Sequence, residues 1–250
     1  MQRVWKNCIV GLLTVALFVG LYLLAWVVAG NELVVPAFSE CMKSLGKLFV
    51  SGGFWLAFWT SFVRVVCAFL ISLVLAVVLA VVSYLLPTFA RIIAPWIAVF
   101  RAVPTLAVLL IILVWTSARV APVVVALLTL FPTLYTAFYT LLTGVDRDLI
   151  EMSRVYKVPV KRQIFKLYLP SVAPQAVREC SASLGLGLKL VVSAEVLAGT
   201  YLSLGGFMQD AKAYLDMPLL FALVGVCAVL GLLLESLGEI LAGVMERSVR

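Results

Sequence analysis

Long uncharged runs alternate with short polar segments along the whole chain. Residues 8–29 and 65–86 are each 22 positions without a charge, and 120–145 and 217–234 are uncharged throughout. Residues 92–118 carry one charge, Arg101. A helix needs about 20 apolar residues to cross a bilayer, so each run predicts a span. The second helix is read as starting near Trp55, which places Arg64 inside it. A sixth run, 174–197, is apolar apart from Arg178, Glu179, Lys189 and Glu195. The pattern predicts an all-α, polytopic membrane protein with six transmembrane helices in a single domain, 1–250. The first run follows Arg3 and Lys6 and exceeds the ~7–15 residues of a signal-peptide core, so it is read as a retained helix. Pro104 falls inside the third run and Pro132 inside the fourth, where each removes a backbone donor and kinks or breaks the helix.

The polar segments set the orientation. With the N-terminus in the cytoplasm, segments 1–7, 87–101, 146–170 and 235–250 hold twelve Lys and Arg, against four (Lys43, Lys47, Arg119 and Lys212) on the other side. Positive charge accumulates on the cytoplasmic face, so both termini are expected there. The formal net charge of +7 is then a consequence of topology and requires no nucleic-acid partner. Between the first two spans, Phe38, Met42, Leu45 and Phe49 recur at helical spacing behind Ser39 as N-cap. This predicts a short amphipathic helix on the outer membrane surface, with Cys41 open to reagents from outside.

Composition agrees and excludes other classes. Hydrophobic residues make up 64% of the chain and charged ones 12%, against roughly 45–50% and 25% in soluble domains. There is no histidine, which removes the commonest acid–base and metal-binding side chain. The five cysteines form no CxxC pair, so no zinc site or disulfide framework follows, and no metal is expected. The one Gly-Lys dipeptide, Gly46-Lys47, has Cys41 where a phosphate-binding loop needs its first glycine. This chain therefore does not hydrolyse ATP by that route, and no cofactor of its own is expected.

Charges inside the spans are candidate functional groups, because an ionised side chain facing lipid is costly. In the fifth span Arg178, Ser181, Gly185, Lys189 and Ser193 are spaced by three, four, four and four residues. That spacing puts them on one helix face, to meet a water-filled path or another helix. Glu195 points elsewhere. Lys189 lies about 16 Å from Arg178 at ~1.5 Å per residue, deep in the bilayer. It either lines the path and attracts an anionic solute or pairs with an acidic group such as Glu195 of a second copy. Glu235 and Glu239, at i and i+4 beyond the sixth span, are expected at the same membrane face as Arg178. They are gate candidates, paired with Arg178 when the inner side is closed, unless each side chain snorkels to water.

Segment 146–170 carries the most information. Asp146 and Asp148 precede a helical pattern through Tyr156, as acidic residues do at a helix N-terminus, and Pro159 stops it. A second short helix, about 160–168, interleaves Lys161, Arg162 and Lys166 with Ile164, Phe165 and Tyr168, and Leu169-Pro170 is expected to end it. This is either a solvated basic loop or a docking surface. The spacing resembles the "EAA loop" of ABC-importer permeases: Glu151 stands at the glutamate and Leu169-Pro170 at the closing Leu-Pro. Met152 and Ser153 replace the two alanines, Lys157 stands at the glycine and Leu167 at the isoleucine. Phe100-Arg101-Ala102-Val103-Pro104 is similar to the R-x-V/I-P motif of such permeases. Phe131-Pro132 followed by Asp146 to Glu151, and Ser193-Ala194-Glu195 followed by Leu204-Gly205-Gly206, are similar to segments of the nitrate/sulfonate/taurine type. The likeness covers about residues 30–245.

The resemblance implies a type I importer permease of a bacterial cytoplasmic (inner) membrane, surrounded by lipid. Two copies, as a homodimer, would form the path for a small, anionic solute of the sulfonate, nitrate, taurine or vitamin-precursor kind. A cytoplasmic ATPase dimer would bind ATP and dock Glu151, Met152, Ser153, Arg154, Tyr156 and Lys157, and an extracytoplasmic binding protein would deliver the solute. The competing reading is an ion-coupled secondary transporter or channel using Lys189 and Glu195. An intramembrane enzyme lacks any supporting catalytic arrangement.

Overall fold

The computed structural model describes residues 17, 19–32 and 34–249, and all regular structure among them is helical. Helix α1, Val19–Ala29, covers the end of the first predicted span; residues 8–16 and 18 of that span lie outside the described residues. It is followed by α2 (Phe38–Val50), α3 (Gly52–Leu85), α4 (Pro87–Ala102), α5 (Thr105–Trp115) and α6 (Ala121–Thr143). The polar segment contributes α7 (Arg147–Val155) and α8 (Val160–Gln163). Then come α9 (Leu169–Ala198), α10 (Leu204–Ala213) and α11 (Met217–Val249).

Four helices among the described residues are long and apolar enough to cross a membrane: α3, α6, α11 and the continuous helix Val160–Ala198 that ends in α9. The third predicted span is instead two helices, α4 and α5, bent by 92°. Pro104 causes the break. It disfavours helical backbone at the residue before it, and Val103 is extended at φ −73°, ψ 129°. Pro132 behaves differently: α6 runs unbroken through it, with the Thr136 hydroxyl donating to its carbonyl at 2.8 Å.

The core is built on small residues. Along α3, Ala57, Ser61, Ala68, Ser72, Ala76 and Ala80 are fully buried, while Leu70, Val74 and Val78 on the other side are half-exposed. In lipid, apolar bulk gains nothing by turning inward, and small faces let backbones pack closely. α3 packs its small face along α6 and α9, and α9 in turn packs along α11. Buried serines hold the contacts: Ser83 Oγ and the Tyr135 hydroxyl are 2.8 Å apart, joining α3 to α6.

Three local expectations are corrected. The N-cap of α2 is Ala37, with no side-chain cap, and Ser39 lies inside the helix. Cys41 is buried, and with Phe38, Met42, Leu45 and Phe49 it lines an apolar cavity of about 750 Å³ between α1, α2, α3 and α11. Leu169-Pro170 does not end the second cytoplasmic helix. The chain widens into a π-turn over Ile164–Tyr168, with Leu169 N–H donating to the Ile164 carbonyl, and continues as α9. A proline's fixed φ is itself helical. The π-turn changes the hydrogen-bond register just where Pro170 and Pro174 withhold donors, so the helix continues.

Candidate functional site

The polar segment between α6 and α9 is built by two caps. The Asp146 carboxylate accepts from Asp148 N–H at 2.9 Å and caps α7 at its start. At its end Lys157 N–H donates to the Arg154 carbonyl at 3.0 Å and Val158 N–H to the Ser153 carbonyl at 2.9 Å. This pair of bonds is a Schellman closure, which needs a left-handed residue. Lys157 supplies it at φ 49°, although it has a Cβ. The position that resembles the loop glycine thus keeps a glycine's conformation.

With the turn closed this way, α7 stands off the bundle and buries no residue. Glu151, Met152, Arg154, Tyr156 and Lys157 are exposed. Ser153 is half-buried, its hydroxyl donating to the Ile150 carbonyl at 2.7 Å. Met152, Ser153 and Tyr156 share a groove of about 290 Å³ with Arg162, Gln163 and Lys166. The segment is tied to the bundle where the Tyr84 and Tyr168 hydroxyls meet at 2.7 Å.

The polar stripe of α9 faces α11, which runs antiparallel to it. A methyl group on Gly238 would overlap Ser181, and one on Gly185 would come within 2.7 Å of Glu235 Oε1. Lys189 crosses Gly231, 3.9 Å from where a Cβ there would stand. The face predicted from spacing is therefore a helix seam. It carries charge at two levels: Arg178 Nη2 pairs with Glu246 Oε1 at 2.7 Å, and Lys189 Nζ with Glu235 Oε1 at 3.7 Å. The expected pairing of Arg178 with Glu235 or Glu239 is not the one this conformation makes. The register sets Glu235 opposite Gly185, and Glu239 is exposed with no ion pair among the described residues. Ser193 is exposed on the far end of the stripe.

Glu195 lies elsewhere in the protein. It is fully buried, receiving Arg64 Nη1 at 2.6 Å, Ser61 Oγ at 2.7 Å and Gly205 N–H at 3.2 Å. Ser61 Oγ also accepts from Leu204 N–H at 2.9 Å, so the first turn of α10 is sewn to α3 and α9. Gly205 allows this, because a Cβ there would overlap the Glu195 side chain. In this fold Glu195 is a clamp between three helices and does not share the open seam with Lys189. Arg64 and Glu246 are the partners that sequence reasoning missed. A charge inside an apolar run marked Arg64, but which carboxylate it meets depends on how α3 and α9 pack. Near the break between α4 and α5, Arg101 shares a polar cleft of about 310 Å³ with Thr133, Thr136, Gln175 and Glu179. Among the described residues no cluster of His, Cys, Asp or Glu could hold a metal.

Residues 72–250 match the family described as "Binding-protein-dependent transport system inner membrane component". The chain belongs to this family. It is 31% identical over 147 residues to a probable ABC transporter permease protein of Brucella melitensis, covering 58% of this chain and 59% of that one. The chain thus spans about three fifths of the length of that relative. It is 23% identical over 220 residues to the taurine transport system permease protein of Escherichia coli, covering 84% and 80%. Its fold is like that of a chain from inward-facing structures of the MetNI methionine ABC transporter, with a TM-score of 0.58 at 20% identity, covering 78% of this chain and 97% of that one. Family, apolar helices and fold agree on a multi-pass, all-helical permease of an inner membrane.

Proposed function

We propose that the chain is the membrane subunit of an ATP-driven importer. Two copies form the path, an extracytoplasmic protein hands over the solute, and a cytoplasmic ATPase dimer binds ATP and grips α7. The observation that carries this reading is α7 itself. It is a short helix capped at both ends, standing clear of the bundle and presenting Glu151, Met152, Arg154 and Tyr156 at the EAA-loop spacing. A rigid helix held by its caps can pass a displacement to the bundle as a rigid body. The π-turn and the Tyr84–Tyr168 contact continue that path into α9 and α3. The twelve-to-four Lys and Arg asymmetry supports a cytoplasmic α7 and cytoplasmic termini.

The solute is a small anion. Lys189 supports this: it is an intramembrane cation whose side chain is 65% exposed in the single chain, on the seam that a second copy or the path would face. The taurine permease among the relatives fits a sulfonate-bearing solute. The ion-coupled alternative needs Glu195 as an accessible coupling charge, and its enclosure by Arg64 and Ser61 gives it no open route for an ion. Transport assays on two variants test the proposal. Glu151→Lys should abolish uptake with insertion intact, and Lys189→Met should impair uptake with ATPase docking intact. Normal uptake in the first would defeat the importer reading; normal uptake in the second would defeat the anion assignment.

A further inference from the structure

Two ion pairs join α9 to its neighbours at depth, and they are built differently. Arg64 and Glu195 meet at 2.6 Å, with side-chain exposures of 14% and 0%. Lys189 and Glu235 stand 3.7 Å apart, with exposures of 65% and 41%. A charge-assisted N–H to carboxylate bond closes to about 2.7–2.9 Å, so the first pair is fully made and the second is loose and partly open. A loose, open pair is exchanged more readily than a tight, enclosed one, which is costly to break.

Glu235 lies beside Lys189 because position 185 is glycine. A Cβ there would fall 2.7 Å from Glu235 Oε1 and 3.1 Å from its Cγ. The carboxylate therefore rests against the α9 backbone one turn before Lys189. Among the described residues no other carboxylate pairs with Lys189, since Glu195 is turned into the buried clamp.

We propose that Glu235 is an internal counter-ion. It occupies Lys189 when the path is empty, and an oxyanion of the solute displaces it. This rests on Lys189 being the anion-attracting group. An ammonium in an apolar bundle needs a partner at rest, and a partner held loosely can be exchanged. The anion arrives, the carboxylate swings outward, and the net charge at Lys189 is unchanged through the exchange. Its return to the Gly185 seat releases the solute. Glu235 and Gly185 are thus positioning residues that set how tightly an anion is held.

The test uses the full-length chain purified with its ATPase. The thermal midpoint is titrated with sodium methanesulfonate, with sodium chloride at matched ionic strength as the reference. Glu235→Gln should lower the half-saturating methanesulfonate concentration by about fivefold, the factor expected for removing a weak competing pair. Gly185→Ala keeps the charge but pushes the carboxylate off its seat, and should shift the concentration in the same direction. Lys189→Met should abolish the response in both backgrounds. An unchanged or weaker response in Glu235→Gln, with Lys189→Met still abolishing it, would overturn the counter-ion and leave Lys189 as the anion group. A response that survives Lys189→Met would overturn the assignment of Lys189 itself. No methanesulfonate-specific shift in Glu235→Gln would overturn the counter-ion.

Discussion

Arg64 on α3 donates to Glu195 on α9 at 2.6 Å, across 131 residues of sequence. The same carboxylate takes Ser61 and Gly205 N–H, so one side chain holds α3, α9 and the start of α10 together.

Breaking one side of a buried pair leaves an uncompensated charge and costs about 3–5 kcal/mol. Glu195→Ala and Arg64→Ala should each lower the thermal midpoint of the purified chain strongly. The double variant Arg64→Met with Glu195→Met should recover much of the loss, because replacing both members by apolar groups is close to neutral. Fluorescence-detected size exclusion after heating reads this. Additive losses in the double variant would mean that the pair does not act as a unit.

Lys157 sits in the left-handed region at φ 49°, where a residue with a Cβ costs roughly 1–2 kcal/mol relative to glycine. Lys157→Gly should stabilise the end of α7 by about 1 kcal/mol, and Lys157→Val should weaken it. Amide exchange at Lys157 and Val158, whose N–H groups close the turn, should slow by roughly fivefold in the glycine variant. Faster exchange there would contradict the Schellman assignment.

Ser181 fills the space that Gly238 leaves on α11. Gly238→Ala should separate the two helices at a cost of about 1–3 kcal/mol. Ser181→Gly in the same chain should restore the seam. A double-mutant cycle on the thermal midpoint that shows no coupling would contradict the α9–α11 register and, with it, the placement of Glu235 beside Lys189.

Topology is open to labelling, with a site chosen from the structure. Cys41 is buried against the protein, 3.7 Å from the Tyr22 hydroxyl, and is a poor reporter. Lys43 on the same helix is exposed, its side chain 67% open. In a background without reactive cysteine, Lys43→Cys should react with a membrane-impermeant maleimide from outside and Lys161→Cys should not. The reverse pattern would invert the orientation and remove α7 from the cytoplasm.

What the sequence shows well is what depends on local pattern. The short helix α7, its acidic N-cap and the α9 stripe follow from spacing, and Pro104 announces the break between α4 and α5. What it hides depends on register between helices far apart in the chain. Arg178 meets Glu246 rather than Glu235 because Ser181 must seat on Gly238. Glu195 reads as a pairing group for Lys189, but its neighbour is Arg64, and nothing local links the two. Pro170 reads as a stop, yet the π-turn carries the helix past it. One signal was open to reading: the Ala and Ser positions along α3, at helical spacing from Ala57 to Ser83, mark the buried face of a membrane helix.

If a separate ATPase grips α7, it should travel with the chain through purification. The most direct measurement is purification of the tagged chain from its own host, with identification of what accompanies it, for the native sequence and for Glu151→Lys. A stoichiometric ATPase subunit is expected with the native chain and is expected to be lost from the variant, at equal membrane abundance. A native chain that purifies without an ATPase, or a Glu151→Lys variant that retains it in full, would contradict the account.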